Sequence, residues 1–325
     1  MNNILERIEQ IGIVPVVKIT QASDAIPLAH ALYDGGIDVA EITFRSEHAV
    51  ESIKTIHKEL PDMLLGAGSV RTITQAHDAI QAGASFIVTP GFNVHVVTWC
   101  LEHNVLVLPG VSSASEIESA LDMGLTTLKF FPAESSGGAQ KLKDLSGPYP
   151  NVTFLPTGGI SNKNMHEYLA LPNVMAIGGS YMLNPQHIQQ QDWNQVRIES
   201  SNAVRSMLSY ELIHIGINET SSEEAEKSAK LLCELFQFDY YKKPKSHFAG
   251  RGFEVLNQVG IGTHGHIGIY TPYPQRAMYQ LAKKGITFKT DSITRNKKTN
   301  KINFVYLDVE LSGFGIHLIN PDVKM

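Results

Sequence analysis

From residue 13 onward, short apolar, β-branched runs alternate with longer amphipathic stretches. IVPVVKI (13–19), VAEITFR (39–45), MLLGAGSV (63–70), FIVTPG (86–91), VLVLPGV (105–111), TTLKFFPA (126–133), VTFLPTGGI (152–160) and VMAIGGSY (174–181) read as buried strands. The intervening SDAIPLAHALYDGG, HAVESIKTIHKELP, TITQAHDAIQAG and NVHVVTWCLEHN repeat apolar residues at helical spacing. Several end in Gly, Asn or Pro, which stop helices. Eight β-runs separated by helices predict an α/β fold, an eight-stranded β/α (TIM) barrel rather than an open sheet.

The rhythm then changes. NPQHIQQQDWNQ (184–195) is polar and leads into a helix predicted over 195–209. ELIHIGIN (211–218) reads as a strand, SSEEAEKSAKLLCELFQF as a capped amphipathic helix, and mostly strands follow. HIGI stands at 214–217 and again at 266–269, each copy opening a strand, a helix and further strands. Such self-similarity marks an internal duplication. Two domains are expected, a barrel over 1–209 and a duplicated α+β domain over 210–325.

With 43% hydrophobic residues and a net charge of -5, the chain has the balance of a soluble globular protein, with no cationic surplus for nucleic acid or an anionic membrane. No apolar run approaches the roughly 20 residues of a membrane span. MNNILERIEQIG lacks the basic and apolar regions of a secretory leader, so a cytoplasmic protein is expected. Cys100 and Cys233 lie far apart in apolar segments and read as reduced packing residues.

LKFFPAE (128–134) places Lys129 inside an apolar, aromatic strand. A buried lysine is rare unless paired or chemically employed. Burial disfavours the charged form of an amine and leaves a nucleophile; the alternative is a strand-end lysine with its head in water. Glu41, Thr43 and Arg45 alternate in VAEITFR and so share one face. Lys129 would share its face with Thr127 and Phe131. Strand three ends in GAGSV around Ser69, and strands seven and eight end in TGGI (157–160) and IGGS (177–180). Glycines there are turn signals first. They also let backbone N–H groups approach phosphate, which barrels often bind after their last two strands.

In order, EITFRSE, GAGSV, TPG, LKFFPAE, PTGGI and IGGS resemble the 2-keto-3-deoxy-6-phosphogluconate / 4-hydroxy-2-oxoglutarate aldolase family, class I aldolases on a β/α barrel, over residues 1 to about 209. The resemblance implies Lys129 as the Schiff-base lysine and Glu41 as the general acid/base. It implies Arg45 and Ser69 as keto-acid contacts, with Pro90 and Phe131 lining the pocket. Thr157, Gly158, Gly159, Gly178, Gly179 and Ser180 match the phosphate-binding ends, and Lys18 a basic position near phosphate. Ser69 stands where many members carry Thr, keeping the hydroxyl. A phosphorylated keto-acid substrate, no cofactor for the aldolase and a homotrimer are further implications. Both the gluconate- and galactonate-derived substrates fit. Phosphate-binding isomerases and synthases share the TGGI-type ending but do not need LKFFPAE with an upstream EITFR. A non-catalytic sugar-phosphate sensor is the remaining alternative.

The duplicated part resembles the vicinal oxygen chelate (glyoxalase/dioxygenase) superfamily of paired βαβββ modules. That resemblance implies a divalent metal on His214 and Glu254 from one module and His266 and His317 from the other. His317 departs from the Glu common there. The competing reading is four strand-end polar residues in a domain that serves structure or assembly. His247 and His264 are expected at the surface.

Overall fold

Nine short parallel strands form the first unit: β1 (Ile13–Val17), β2 (Val39–Thr43), β3 (Leu64–Gly68), β4 (Phe86–Val88), β5 (Leu106–Leu108), β6 (Gly110–Val111), β7 (Thr127–Phe130), β8 (Thr153–Pro156) and β9 (Ile177–Gly179). This is a computed structural model describing residues 2–297 and 299–320. The ladder order is β5-β4-β3-β2-β1-β9, and β6-β7-β8 make a second set. β5 and β6 are one run interrupted at Pro109, whose carbonyl accepts from Lys129 N–H at 2.9 Å. Bridges Phe154–Val174 and Thr157–Gly178 join β8 to β9. The eight expected staves thus close into a ring.

The strands are shorter than the runs that predict them. As strands, the 39–45 run ends at Thr43, 86–91 at Val88 and 152–160 at Pro156, with Thr157 adding a single bridge. In each case the last residues leave the ladder for the turns of the C-terminal mouth. Helices start where a side chain can satisfy free N–H groups. Thr72 and Asn93 cap two of them, and Ser113 forms a reciprocal capping box with Glu116. The polar 184–195 stretch contains a short helix, Pro185–Gln189, and the helix expected over 195–209 runs Trp193–Leu208. Ile13, Val14, Phe86, Phe130 and Phe154 on these strands are buried. Burying side chains of this size contributes about 1.5–3 kcal/mol each.

By its internal contacts the chain divides into Met1–Met207 and Leu208–Met325. The second unit contains β10 (Glu211–Asn218), a helix Ser222–Phe236, β11 (Tyr240–Lys243), β12 (Ser246–Ala249) and β13 (Phe253–Leu256). The same order repeats as β14 (Gly265–Tyr270), a helix Pro274–Ala282, β15 (Phe288–Arg295), β16 (Ile302–Leu311) and β17 (Phe314–Ile319). These are two βαβββ modules in one sheet, ordered β11-β12-β13-β10-β14-β17-β16-β15. β10 and β14 meet antiparallel at the centre, each flanked by a parallel strand of its own module. The Ser222–Phe236 helix packs Ala225 and Ala229 on Val255, with Leu232 and Tyr240 beside them. That defines a helix-covered back face.

His247 corrects the surface expectation. It is fully buried, because alternation on β12 turns it toward the back face while Ser246 and Phe248 point forward. Tyr240 Oη lies 2.6 Å and Ser222 Oγ 3.3 Å from its ring nitrogens. His264 is exposed. Both cysteines are free thiols. Among the described residues no helix is long and apolar enough to cross a membrane.

Candidate functional site

Lys129 does not reach for water. Its Nζ donates to Glu41 Oε1 at 3.0 Å and Oε2 at 3.3 Å, and the two residues are 4% and 1% exposed. β2 and β7 are not ladder neighbours, so this contact crosses the barrel interior. An isolated buried charge costs several kcal/mol, and only a partner of opposite sign makes it tolerable. The ammonium also stands 5.2 Å from the centroid of the Phe131 ring, a cation–π contact.

Room for the pair is made on β3. A Cβ added at Gly68 would lie 2.1 Å from Glu41 Oε1, so the small residue in GAGSV accommodates the acid. Ser69 follows at φ 56, the left-handed region that a serine rarely adopts. Thr43 shares the Glu41 face, but its hydroxyl bonds Val17 O at 2.8 Å. Pro90 is half-buried at the end of β4, its carbonyl packed on Gly110.

Lys18, Arg45 and Ser180 line one cavity of about 530 Å³, together with Thr20, Gln21 and Asp24. Among the described residues neither cation forms an ion pair, so the cavity presents net positive charge. Gly158 and Gly159 hold φ 107 and 80, conformations natural to glycine. Gly178 and Gly179 end β9; a Cβ at Gly178 would lie 2.2 Å from Thr157 Oγ1. That hydroxyl is buried with no hydrogen-bond partner among the described residues. A buried polar atom left unpaired in the protein costs about 1–3 kcal/mol.

Two features escape the sequence reading. Asp24 sits at a helix N-cap position without capping; its carboxylate lines the cavity and accepts from Gln191 at 3.1 Å. Glu134, the acid of FPAE, packs against Gly159 and accepts a hydrogen bond from Tyr168 Oη. Burial, then Glu134, push the Tyr168 phenol up. Side chains 34 residues apart carry no local signal of this tie.

In the second unit the four residues named from sequence converge on the face opposite the helices. His214 Nε2 lies 3.0 Å from His266 Nε2 and 3.1 Å from His317 Nε2. Glu254 Oε2 is 3.6 Å from His214 Nε2 and 3.4 Å from His266 Nε2. The HIGI repeat explains the convergence. Gly216 pairs with His266, and His214 with Gly268, so each copy's histidine leans over the other copy's glycine. A Cβ at Gly216 would meet the His266 ring at 2.2 Å, and one at Gly268 the His214 ring at 2.6 Å. Ser246, which the sequence reading passed over, donates to Glu254 Oε1 at 2.7 Å.

Burial, then repulsion from His266, brings His214 down to about 4 despite Glu254. Burial and the other two imidazoles bring His317 to about 3. Burial raises Glu254, but hydrogen bonds from His266 and Ser246 and nearby histidine charge outweigh it, leaving about 2. Neutral imidazoles and an ionised carboxylate are the forms that ligate a cation. Hydrogen bonding alone serves the cluster poorly, because the single Nε2 site of His214 faces two other ring nitrogens. Ligands at about 2.1 Å from one centre stand about 3.0 Å apart when octahedral and about 3.4 Å when tetrahedral. The observed separations fall near those edges, and the three histidines offer ligand atoms within 4.8 Å of one another, so they fit a first-row divalent ion, with Glu254 beside two of them.

The family profile for KDPG and KHG aldolase matches residues 4–198. The 2-dehydro-3-deoxy-phosphogluconate aldolase of Treponema pallidum is 47% identical over 205 residues, which are 63% of this chain and 98% of that one. A crystal structure of KDPG aldolase from Legionella pneumophila, with pyruvate captured as a covalent carbinolamine, superposes with a TM-score of 0.60 at 38% identity. It covers 62% of this chain and 97% of its own. The Zymomonas mobilis 2-keto-3-deoxy-6-phosphogluconate aldolase with 3-phosphoglycerate gives 0.58 at 34%, covering 61% and 94%. With a closed barrel, a buried lysine–carboxylate pair and these relatives in agreement, the chain belongs to the KDPG and KHG aldolase family.

Proposed function

We propose that the barrel is a class I aldolase that cleaves 2-keto-3-deoxy-6-phosphogluconate to pyruvate and glyceraldehyde 3-phosphate, and 4-hydroxy-2-oxoglutarate to pyruvate and glyoxylate. The observation that carries this reading is the 3.0 Å contact between Lys129 Nζ and Glu41 Oε1. Proton transfer from Lys129 to Glu41 frees the amine to attack the C2 carbonyl. Glu41 returns that proton to the departing hydroxyl, and loss of water from the carbinolamine gives a cationic imine. Glu41, directly or through a water, takes the proton of the C4 hydroxyl, and the C3–C4 bond breaks with its electrons passing into the imine. The aldehyde leaves, the enamine gains a proton at C3, and hydrolysis releases pyruvate and the free lysine. No redox partner enters this sequence.

Arg45 and Ser69 are assigned to the keto-acid end, with Pro90 and Phe131 as walls. Lys18, Ser180, Thr157 and the glycines 158, 159, 178 and 179 are assigned to phosphate. The net positive cavity that Lys18, Arg45 and Ser180 line together supports anion binding there. The test is borohydride trapping with pyruvate followed by peptide mass analysis. Modification at Lys129 is expected; a modified peptide elsewhere overturns the assignment.

The second unit is proposed as a vicinal-oxygen-chelate-like domain holding a divalent ion on His214, Glu254, His266 and His317. Such an ion supplies Lewis acidity to a bound oxygen; Ser246 would orient Glu254. Stoichiometric metal that is lost on His214→Ala is the expected result. Residues 1–209 are proposed to fold alone as a cytoplasmic-type homotrimeric aldolase, checked by activity and light scattering on that fragment.

A further inference from the structure

The face that carries the His214, His266 and His317 cluster also carries two lysines that neither unit's proposed chemistry uses. Cross-strand partners share a face, and residues two apart on a strand share it again. Tyr241 pairs with Phe248, Phe248 with Glu254, and Glu254 with Gly216. Lys243, two residues from Tyr241, therefore points to the side that carries Glu254, and its Nζ stands 4.3 Å from the centroid of the Phe248 ring. On the other flank Gly268 pairs with His317, His317 with Tyr306, and Tyr306 with Lys289. The duplication thus brings one lysine to each side of the cluster.

Neither lysine has a carboxylate partner among the described residues, and both are half-buried. Asp308 and Glu310, farther along β16, are exposed and form no ion pair with Lys289. With a divalent ion in place, Glu254 offsets one charge, while Lys243 and Lys289 add two. Glu310 pairs with Gly315, two residues from His317, so it shares this face and offsets one charge more; the balance stays positive. The cluster itself is accessible on its acid side, since the Glu254 side chain is 20% exposed against 5% for His214. Half-buried cations on the face of an ion, opposed only by Glu254 and an exposed Glu310, are an arrangement that selects an anion.

We propose that the second unit binds a small organic dianion, with one carboxylate oxygen directed to the metal cluster and the second anionic group held by Lys243 or Lys289. This rests on the metal reading of His214, Glu254, His266 and His317. The flanking lysines exclude neutral ligands of the same shape, because an uncharged end leaves their charge unanswered. The aromatic rings of Phe248 and Tyr306 form the walls between ion and lysine.

The test uses the full-length protein loaded with Co(II), whose visible absorption reports its own ligands. Malonate is titrated against malonamide, its neutral counterpart. Because the signal arises at the metal, an anion taken up by the barrel does not register. Malonate should shift the Co(II) bands and bind at least about tenfold more tightly than malonamide. Lys243→Met or Lys289→Met should weaken malonate about tenfold, the weight of one charge-assisted contact, without weakening Co(II) binding. Equal binding of malonate and malonamide, or full malonate affinity in the double Lys→Met variant, overturns the proposal while leaving the metal reading intact. Failure to bind Co(II) at all removes the metal reading, and this inference with it.

Discussion

The two units place chemistry in a sheet in different ways. In the barrel, Glu41 and Lys129 stand within paired strands that are not neighbours, so ring closure brings them together, while the glycine-rich turns lie beyond the C-terminal ends, where the ladder has stopped. In the second unit the clustered side chains stand within paired strands, and cross-strand register alone brings them together. Both sites depend on glycine beneath the functional group: Gly68, two residues past the ladder partner of Glu41, under its carboxyl, and Gly216 and Gly268 directly opposite His266 and His214. The barrel uses that space to bury one acid against one base. The second unit uses it to pack three rings, two of which, His214 and His317, burial holds below the ordinary histidine range. A strand-end site can be recognised from a short motif, while a register site is recognised from its repeat.

The largest expected effect lies in the barrel. Lys129→Met should abolish turnover and leave Glu41 as an uncompensated buried carboxylate. Destabilisation of about 3–5 kcal/mol is expected, largely relieved in the Lys129→Met/Glu41→Gln double variant. A single variant as stable as the double would show that the pair is not electrostatically coupled. Glu41→Gln alone should slow cleavage by roughly 10²–10⁴-fold while pyruvate trapping persists. Parallel loss of trapping and turnover would move the proton-transfer role to another group.

The glycines test the shared device. Gly68→Ala should displace Glu41, reducing turnover and costing about 1–3 kcal/mol by overpacking. Gly216→Ala and Gly268→Ala should weaken divalent-ion affinity about 10–100-fold, as losses around a metal site do, with aldol cleavage untouched. Calorimetry of metal binding and steady-state kinetics on the same samples separate the two. Exhaustive chelation should likewise leave cleavage unchanged, because the imine serves as the electron sink.

The smallest effect concerns pH. Burial, then Lys242, hold His247 below its ordinary 6.5, with Lys230 adding to this and Glu226 and Asn257 opposing it. The unfolded state therefore takes the proton first. Stability present above pH 6.5 is lost as pH falls below it. Thermal unfolding between neutral and mildly acid pH should show the loss, and His247→Gln should flatten it.

Alternation of apolar runs with helical stretches was enough to determine the barrel, since each element's period is a local property of the chain. The HIGI repeat likewise marked two equivalent modules, and the order of the motifs singled out Lys129, Glu41 and the glycine-rich ends. What the sequence left open was which groups meet. Lys129 could have been a strand-end lysine in water; its 88-residue separation from Glu41 means that only ring closure sets the 3.0 Å contact. His247 read as a surface residue because its side of β12 depends on the helix that packs there. The links from Glu134 to Tyr168 and from Ser246 to Glu254, and the positions of Lys243 and Lys289, likewise came from packing and register. Periodicity is written in neighbouring residues. Contacts between distant strands are fixed by the sheet, which the chain makes only when folded.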